Sequence, residues 1–309
     1  MKIALLFPGQ GAQFVGMGKS LYDQFPIARK IFEDADQILG WSLSKLCFEG
    51  HQEELTQTAN SQPAILVASI AAWRVFKEKL GRRIEVAAAA GLSLGEYSAL
   101  VAAEGLSFAD GLRVVRIRGE EMEKAARQNP GTMASIIGLE KVIVEQICEE
   151  SGAEIANVNS PEQIVISGRH DAIAKANELA KKRGAKRVIP LQVSGAFHSR
   201  SMTPAQEGLR EALKKITIQK PHFPVIHNVT AHPSMTPQEI QIRLIAQVCQ
   251  SVRWVDSIHW MAQQGITTFV ELGPGKVLTG LLKRIDPSLK GASIETPEEL
   301  KGFWETLQK

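Results

Sequence analysis

The chain has 309 residues, 44% hydrophobic and 22% charged, the balance of a soluble globular protein long enough for about two domains. Its formal net charge of +3 arises from scattered basic residues and gives no footprint for nucleic acid. Three widely spaced cysteines, Cys47, Cys148 and Cys249, form neither a disulfide framework nor a metal-ligand spacing, so a reducing cytoplasm is the expected setting.

Ile3 to Phe7 is a continuous apolar run cut off by Pro8-Gly9, the pattern of a strand buried on both faces of a parallel sheet. It is too short for a signal-peptide core, and no run in the chain approaches the roughly 18 apolar residues of a membrane span. Ser61 with Pro63 opens a helical segment through Leu80, with Gly81 just past its end. Val86 to Ala90 reads as an Ala-rich strand and Glu96 to Ala103 as a helix; Ser107 to Asp110 reads as a capping box opening a helix to about Arg127. Further strand-like runs at Pro224 to Asn228 and Thr267 to Glu271, separated by helical stretches, predict an α/β fold with a largely parallel sheet.

Residues 129–194 have their own rhythm. "TMASIIGL" reads as a strand, "KVIVEQICEESG" as a helix, "EIANVN" and "QIVISG" as strands across a Ser160-Pro161 turn, "DAIAKANELAKKRG" as a helix and "KRVIPLQVS" as a strand ending near Val193. That βαββαβ order predicts a ferredoxin-like insertion dividing a larger domain made of residues 1–128 and 195–309. A cleft between the two bodies is the natural binding site. Basic clusters at Lys181 to Arg183 with Lys186-Arg187, at Arg82-Arg83 and at Lys283-Arg284 read first as solvated faces, second as landing sites for an acidic partner.

Gly91-Leu92-Ser93-Leu94-Gly95 fits G-x-S-x-G between a strand and a helix. In that context Ser93 is either a nucleophile, with the following helix N-terminus aiming amides at developing charge, or a small residue in a crowded turn. A nucleophilic serine needs a base, and His198, on a loop past a strand end, is placed for that role or for a structural one. Arg118 shares the apolar stripe of its helix with Val115 and Met122 and must meet an anion, either a buried carboxylate of the protein or a substrate carboxylate held bidentately. His222, His227 and His232 match no zinc signature. Pro8-Gly9-Gln10-Gly11 follows the first strand and Gly273-Pro274-Gly275-Lys276 the last; neither has phosphate-loop spacing, and both turns should converge at one sheet edge, bringing Gln10 amides near Ser93.

Taken together, "LLFPGQGAQFVGMG", "GLSLGEYSALVAA", "RIRGEEM", "NVNSPEQIVISG", "VSGAFHSRSM" and "FVELGPGKVLTGLLKRI" resemble, in order and over essentially the whole chain, the malonyl-CoA:acyl carrier protein transacylases, relatives of polyketide synthase acyltransferase domains. The resemblance implies an α/β-hydrolase-like body carrying the ferredoxin-like insertion. It implies Ser93 as acyl-accepting nucleophile, His198 as its base, the Gln10 and Leu94 amides as oxyanion hole, Arg118 as grip on the malonyl carboxylate, and the Gln247 main-chain carbonyl as the group orienting His198. It implies malonyl-CoA and acyl carrier protein as partners, a monomer, no metal and no cofactor. The alternatives are a serine esterase or thioesterase, a trans-acting polyketide acyltransferase, and an inactive carrier-protein-binding module. Two positions depart from the family: Leu92 stands where a histidine is usual, and Ser251 where proline is.

Overall fold

The structure is a computed structural model and describes residues 1–80, 83–234 and 236–307. Among them are the strands β1 (Lys2–Phe7), β2 (Glu85–Gly91), β3 (Thr132–Ile137), β4 (Glu154–Ser160), β5 (Gln163–Gly168), β6 (Arg187–Pro190), β7 (Val225–Ile226), β8 (Thr268–Leu272) and β9 (Lys290–Ile294). The helices are α1 (Lys19–Gln24), α2 (Pro26–Leu39), α3 (Leu43–Glu49), α4 (Gln52–Thr56), α5 (Thr58–Leu80), α6 (Gly95–Ala102) and α7 (Phe108–Gln128). They continue with α8 (Lys141–Ser151), α9 (His170–Lys182), α10 (Thr203–Lys214), α11 (Pro237–Gln247), α12 (Trp254–Gln263), α13 (Val277–Ile285) and α14 (Pro297–Thr306).

β7-β2-β1-β8-β9 form a parallel sheet. Its two faces are read directly from residue alternation. Ile3, Leu5, Phe7, Ala89, Val270 and Leu272 join the larger core with α5, α6 and α7, while Ala4, Leu6, Ala88, Ala90 and Phe269 pack on the other face against α12 and α13. A strand apolar on both faces is stable only with helices on both sides, which is why β1 reads as an unbroken hydrophobic run and sits mid-sheet. The alanines of β2 leave room for the helices to approach the strand that carries the serine turn.

β4-β5-β3-β6 form a separate antiparallel sheet in βαββαβ order, with Ile147 of α8 and Ile173 of α9 packed on one face with Ile136, Ile164 and Ile166 of the strands. The antiparallel sheet is tied to the segment leading into α12 at Val252, whose amide donates to the Ala156 carbonyl at 2.8 Å and whose carbonyl accepts from Val158 at 3.0 Å. These bonds fix the turn that carries Ser251.

Several expectations change in detail. α5 begins at Thr58 rather than Ser61 and carries Pro63 inside it. The Ala59 carbonyl, to which a residue at 63 with an N–H would donate, accepts instead from Arg116 Nη1 at 3.0 Å, so the missing donor is replaced. At Ser107 the hydroxyl accepts from the Asp110 amide at 3.0 Å, but the Asp110 carboxylate takes the Ser107 hydroxyl rather than closing a reciprocal box. β6 stops at Pro190, after one further bond from Leu191 to Met133, and residues 191–199 form an irregular loop. β8 is not the last strand: β9 adds to the sheet edge, its "KGASI" too short of branched residues to declare itself. Gly81 and Arg82 lie outside the described residues. In the cluster at 181–187, Lys181 pairs with Glu178, Arg183 with Glu150 and Lys186 with Glu162 at the surface. Among the described residues no helix is long and apolar enough to cross a membrane.

Candidate active site

The site lies where the C-terminal ends of β1, β2 and β7 meet, the edge at which open α/β sheets gather their ligands. Ser93 sits in the turn from β2 to α6 with φ +54°, a left-handed conformation that costs a non-glycine residue about 1–2 kcal/mol. Its neighbours enforce it. A Cβ on Gly91 would lie 1.9 Å from the Gly95 carbonyl carbon, and one on Gly95 would lie 2.1 Å from the Phe7 carbonyl oxygen. Both glycines of the motif are therefore dictated by backbone crowding. A Cβ on Gly9 would lie 2.3 Å from the Leu92 carbonyl oxygen, so the Pro8-Gly9 turn is pressed onto the serine turn, as expected from the convergence of strand ends.

His198 is 5% exposed and also adopts a positive φ, +58°. The loop bearing it is seated on α7 at Gly195, where a Cβ would meet the Ala126 Cβ at 2.5 Å. Its Nε2 is 2.8 Å from Ser93 Oγ. Its Nδ1 faces two main-chain carbonyls, Gln247 at 2.8 Å and Gln250 at 3.2 Å. A carbonyl only accepts, so Nδ1 carries the proton and Nε2 presents its lone pair to the serine hydroxyl. Burial, then the nearby Arg118 charge, push His198 from its ordinary 6.5 to about 4, against the opposing pull of the two carbonyls and Glu96. The ring is therefore neutral at neutral pH.

Arg118 is 1% exposed on the inward stripe of α7, as its spacing predicts. The buried carboxylate partner that one reading required is not there: among the described residues no carboxylate lies within ion-pair distance of it. Nη1 donates to Gln62 at 2.6 Å, and Nη2 donates to Gln247 Oε1 at 2.9 Å and to Ser93 Oγ at 3.0 Å. The guanidinium lies 5.5 Å from the centre of the Tyr97 ring, and Nε has no partner among the described residues. Burial pulls Arg118 below the ordinary guanidinium range, with Tyr97 and Glu96 opposing. The guanidinium is thus buried with neutral hydrogen-bond acceptors and no carboxylate in direct contact, an arrangement that can receive an anion.

The Ser93 cavity has a volume of about 290 Å³. Gln10, Leu92, Leu94, Arg118, Asn157, Asn159, Phe197 and His198 line it with Ser93. Among the described residues the Gln10 and Leu94 amides donate to no protein acceptor, whereas the Gln10 side chain is anchored on Thr58 Oγ1 at 3.2 Å. A larger surface hollow of about 610 Å³ lies at the other end of β2, lined by Trp73, Lys77, Val86 and Glu104 among others, and holds no such constellation.

Four contributors escaped sequence reasoning. Asn228 accepts the Ser93 amide on Oδ1 at 2.7 Å and donates Nδ2 to the Gly91 carbonyl at 2.7 Å. Gln62 holds Arg118, and Gln250 supplies the second carbonyl to His198. Glu96 lies behind them, with His227 Nδ1 at 2.6 Å. The signal for Asn228 was available, since it follows β7 at the same sheet edge; Gln62 and Gln250 had none beyond proximity to known motifs. The side chains of His222, His227 and His232 go to separate partners, Glu104, Glu96 and the Thr230 carbonyl, and among the described residues no cluster of His, Cys, Asp or Glu is placed to hold a metal.

A family model described as an acyl transferase domain matches residues 4–296. The malonyl CoA-acyl carrier protein transacylase of Bacillus subtilis (strain 168) is 48% identical over 100% of this chain and 98% of its own length. That of Escherichia coli (strain K12) is 41% identical over 97% of each. Among solved structures, an acyl-carrier-protein-S-malonyltransferase from Bartonella henselae superposes with a TM-score of 0.95 at 42% identity over 100% of both chains. A malonyl-transacylase in complex with a type II polyketide synthase acyl-carrier protein superposes with a TM-score of 0.96 at 38% identity, covering 99% of this chain and 100% of that one.

Proposed function

The chain belongs to the acyl transferase family and, within it, to the malonyl CoA-acyl carrier protein transacylases, and from that membership we propose how the residues around Ser93 perform the reaction. The enzyme is an S-malonyltransferase that moves the malonyl group from malonyl-CoA to the phosphopantetheine thiol of acyl carrier protein, supplying extender units for fatty acid biosynthesis. The transfer is ping-pong. Ser93 Oγ attacks the thioester carbonyl as its proton passes to His198 Nε2, 2.8 Å away. The tetrahedral oxyanion is received by the Gln10 and Leu94 amides, each donor worth on the order of 10²–10³ in rate. The carbon–sulfur bond breaks and the imidazolium returns its proton to the departing coenzyme A sulfur. The carrier-protein thiol then gives its proton to His198 and attacks the malonyl ester, and Ser93 leaves reprotonated. The Gln247 carbonyl keeps the His198 tautomer correct throughout.

The observation that carries this reading is the buried cation at Arg118, with no carboxylate within ion-pair distance among the described residues and in contact with Ser93 Oγ at 3.0 Å. A serine–histidine pair alone suits a hydrolase equally well; a guanidinium without a protein carboxylate suits an acyl group that brings its own. Residues 1–128 with 195–309 form the α/β-hydrolase-like catalytic body and 129–194 the ferredoxin-like unit, with the cavity between them, in a monomer working in the cytoplasm. Incubation with malonyl-CoA alone, then peptide mass analysis, tests the assignment. A malonyl adduct is expected on the Ser93 peptide, discharged on addition of acyl carrier protein. Steady malonate release without carrier protein favours the hydrolase instead.

A further inference from the structure

Behind the reacting groups lies a buried carboxylate that the mechanism above does not use. Glu96 is 0% exposed, on the first turn of α6. Its Oε1 is 2.6 Å from Nδ1 of His227, itself 1% exposed. Its Oε2 accepts from the Asn228 amide at 2.9 Å and from Gln247 Nε2 at 2.7 Å. These two partners are the ones that define the site. Asn228 ties the two sides of the serine turn together, and Gln247 presents the carbonyl against which His198 sets its tautomer and the side-chain oxygen that receives Arg118. Gln247 Nε2 also reaches the Ser93 carbonyl at 3.0 Å. Nucleophile and base come from segments 105 residues apart, so their 2.8 Å approach requires a common reference. One carboxylate oxygen touches the holder of each.

We propose that Glu96, fixed by His227, is the positioning residue that sets the Ser93 turn and the His198 acceptor in register through Asn228 and Gln247. The inference rests on the assignment of Ser93 and His198 above. Ionised carboxylates make the stronger hydrogen bonds, and low dielectric around this group magnifies the difference, so replacing the charge at constant shape should loosen both holders. Glu96 touches no reacting atom. Its effect should therefore appear in the rate of serine acylation at saturating malonyl-CoA, and not in the concentration that half-saturates it.

The test is rapid-quench acylation of full-length wild type, Glu96→Gln, Glu96→Ala and Ser93→Ala with malonyl-CoA, scored as malonyl-Ser93 peptide per folded chain. For Glu96→Gln we expect full final labelling at a maximal rate about tenfold slower, with half-saturation within about threefold of wild type. Glu96→Ala should lose about 10²-fold in the same parameter. Should Glu96→Ala not fold, Glu96→Gln decides alone. A folded Glu96→Gln that acylates at the wild-type rate overturns the proposal, as does a loss confined to half-saturation. Absence of label on Ser93 in wild type would instead overturn the nucleophile assignment, so the two failures are distinguishable.

Discussion

Two buried histidines sit on either side of the serine turn and are wired in opposite ways. His227 has a carboxylate at Nδ1; His198, which touches the nucleophile, has only main-chain carbonyls there. The protein thus owns a buried Glu–His pair and keeps it off the reacting serine. A carbonyl fixes the tautomer without adding negative charge, and with Arg118 nearby the ring is left weakly basic. That suits a transferase. The serine need only exchange an acyl group between two thiols of similar chemistry, and a modest base suffices when a cation beside Oγ lowers the cost of its developing charge.

The comparison breaks most severely if either member of the reacting pair is removed. Ser93→Ala and His198→Ala should each lower malonyl transfer by at least about 10⁴-fold, with the double variant little worse than the poorer single one, as groups acting as a unit do. Transfer assays with purified carrier protein measure this. Next in size is Arg118→Ala, expected to lower kcat/KM for malonyl-CoA by about 10²-fold or more while acetyl transfer is kept or gained, because the buried guanidinium penalises an acyl group without a carboxylate. Parallel assays with malonyl-CoA and acetyl-CoA check it; equal losses would remove the clamp.

The carbonyl wiring of His198 is sharpened by pH. The ring must be neutral to accept the serine proton, and it titrates near 4 when folded, so kcat/KM for malonyl-CoA should stay level from neutral pH down to about 5 and fall below that. A limb near the ordinary histidine value would contradict the burial argument. The same depression affects stability: between pH 6.5 and 4 the unfolded chain takes up a proton that the folded one refuses. His198 therefore costs nothing above pH 6.5 and withdraws on the order of 3 kcal/mol as pH falls to 4. Denaturant melts at pH 7 and 4.5 read that loss, together with other groups titrating there. The smallest effect belongs to Leu92→His, expected to leave transfer within about fivefold, because the hydrogen bonds around Ser93 run through Asn228, Gln247 and Arg118 and not through the Leu92 side chain.

Much of this site was legible before the structure. Gly91 and Gly95 declare themselves because a sharp strand-to-helix turn around a serine crowds out other side chains, and Arg118 because a cation on an apolar stripe is conspicuous. Ser93, His198 and Arg118 do meet, as expected. What stayed hidden has no pattern of its own. Gln62 and Glu96 act through hydrogen bonds made across long sequence distances, and a lone amide or carboxylate looks the same on the surface as inside, whereas Asn228 has its place after β7 as a signal. The edge strand β9 was missed for a related reason, since its glycine, alanine and serine carry little strand preference. The strand-like run Pro224 to Asn228 contains β7 but overstates its length, because β7 pairs over only two residues before turning into the site.

The placement of β1 also governs the order in which this chain can be made. β1 holds the middle of the parallel sheet, yet its partner β8 lies some 265 residues downstream, so one side of β1 stays unpaired until β8 has been made. The antiparallel sheet of 132–190 has all its strand-to-strand partners within itself, the single bridge from β4 to Val252 apart, and can close much earlier. A nascent chain would therefore carry a finished small unit on an unfinished body, with "IALLF" and the alanines of β2 waiting for their last neighbour. Ribosome-arrested chains ending before and after β8 should differ sharply in protease resistance of the body, and little in that of the insertion.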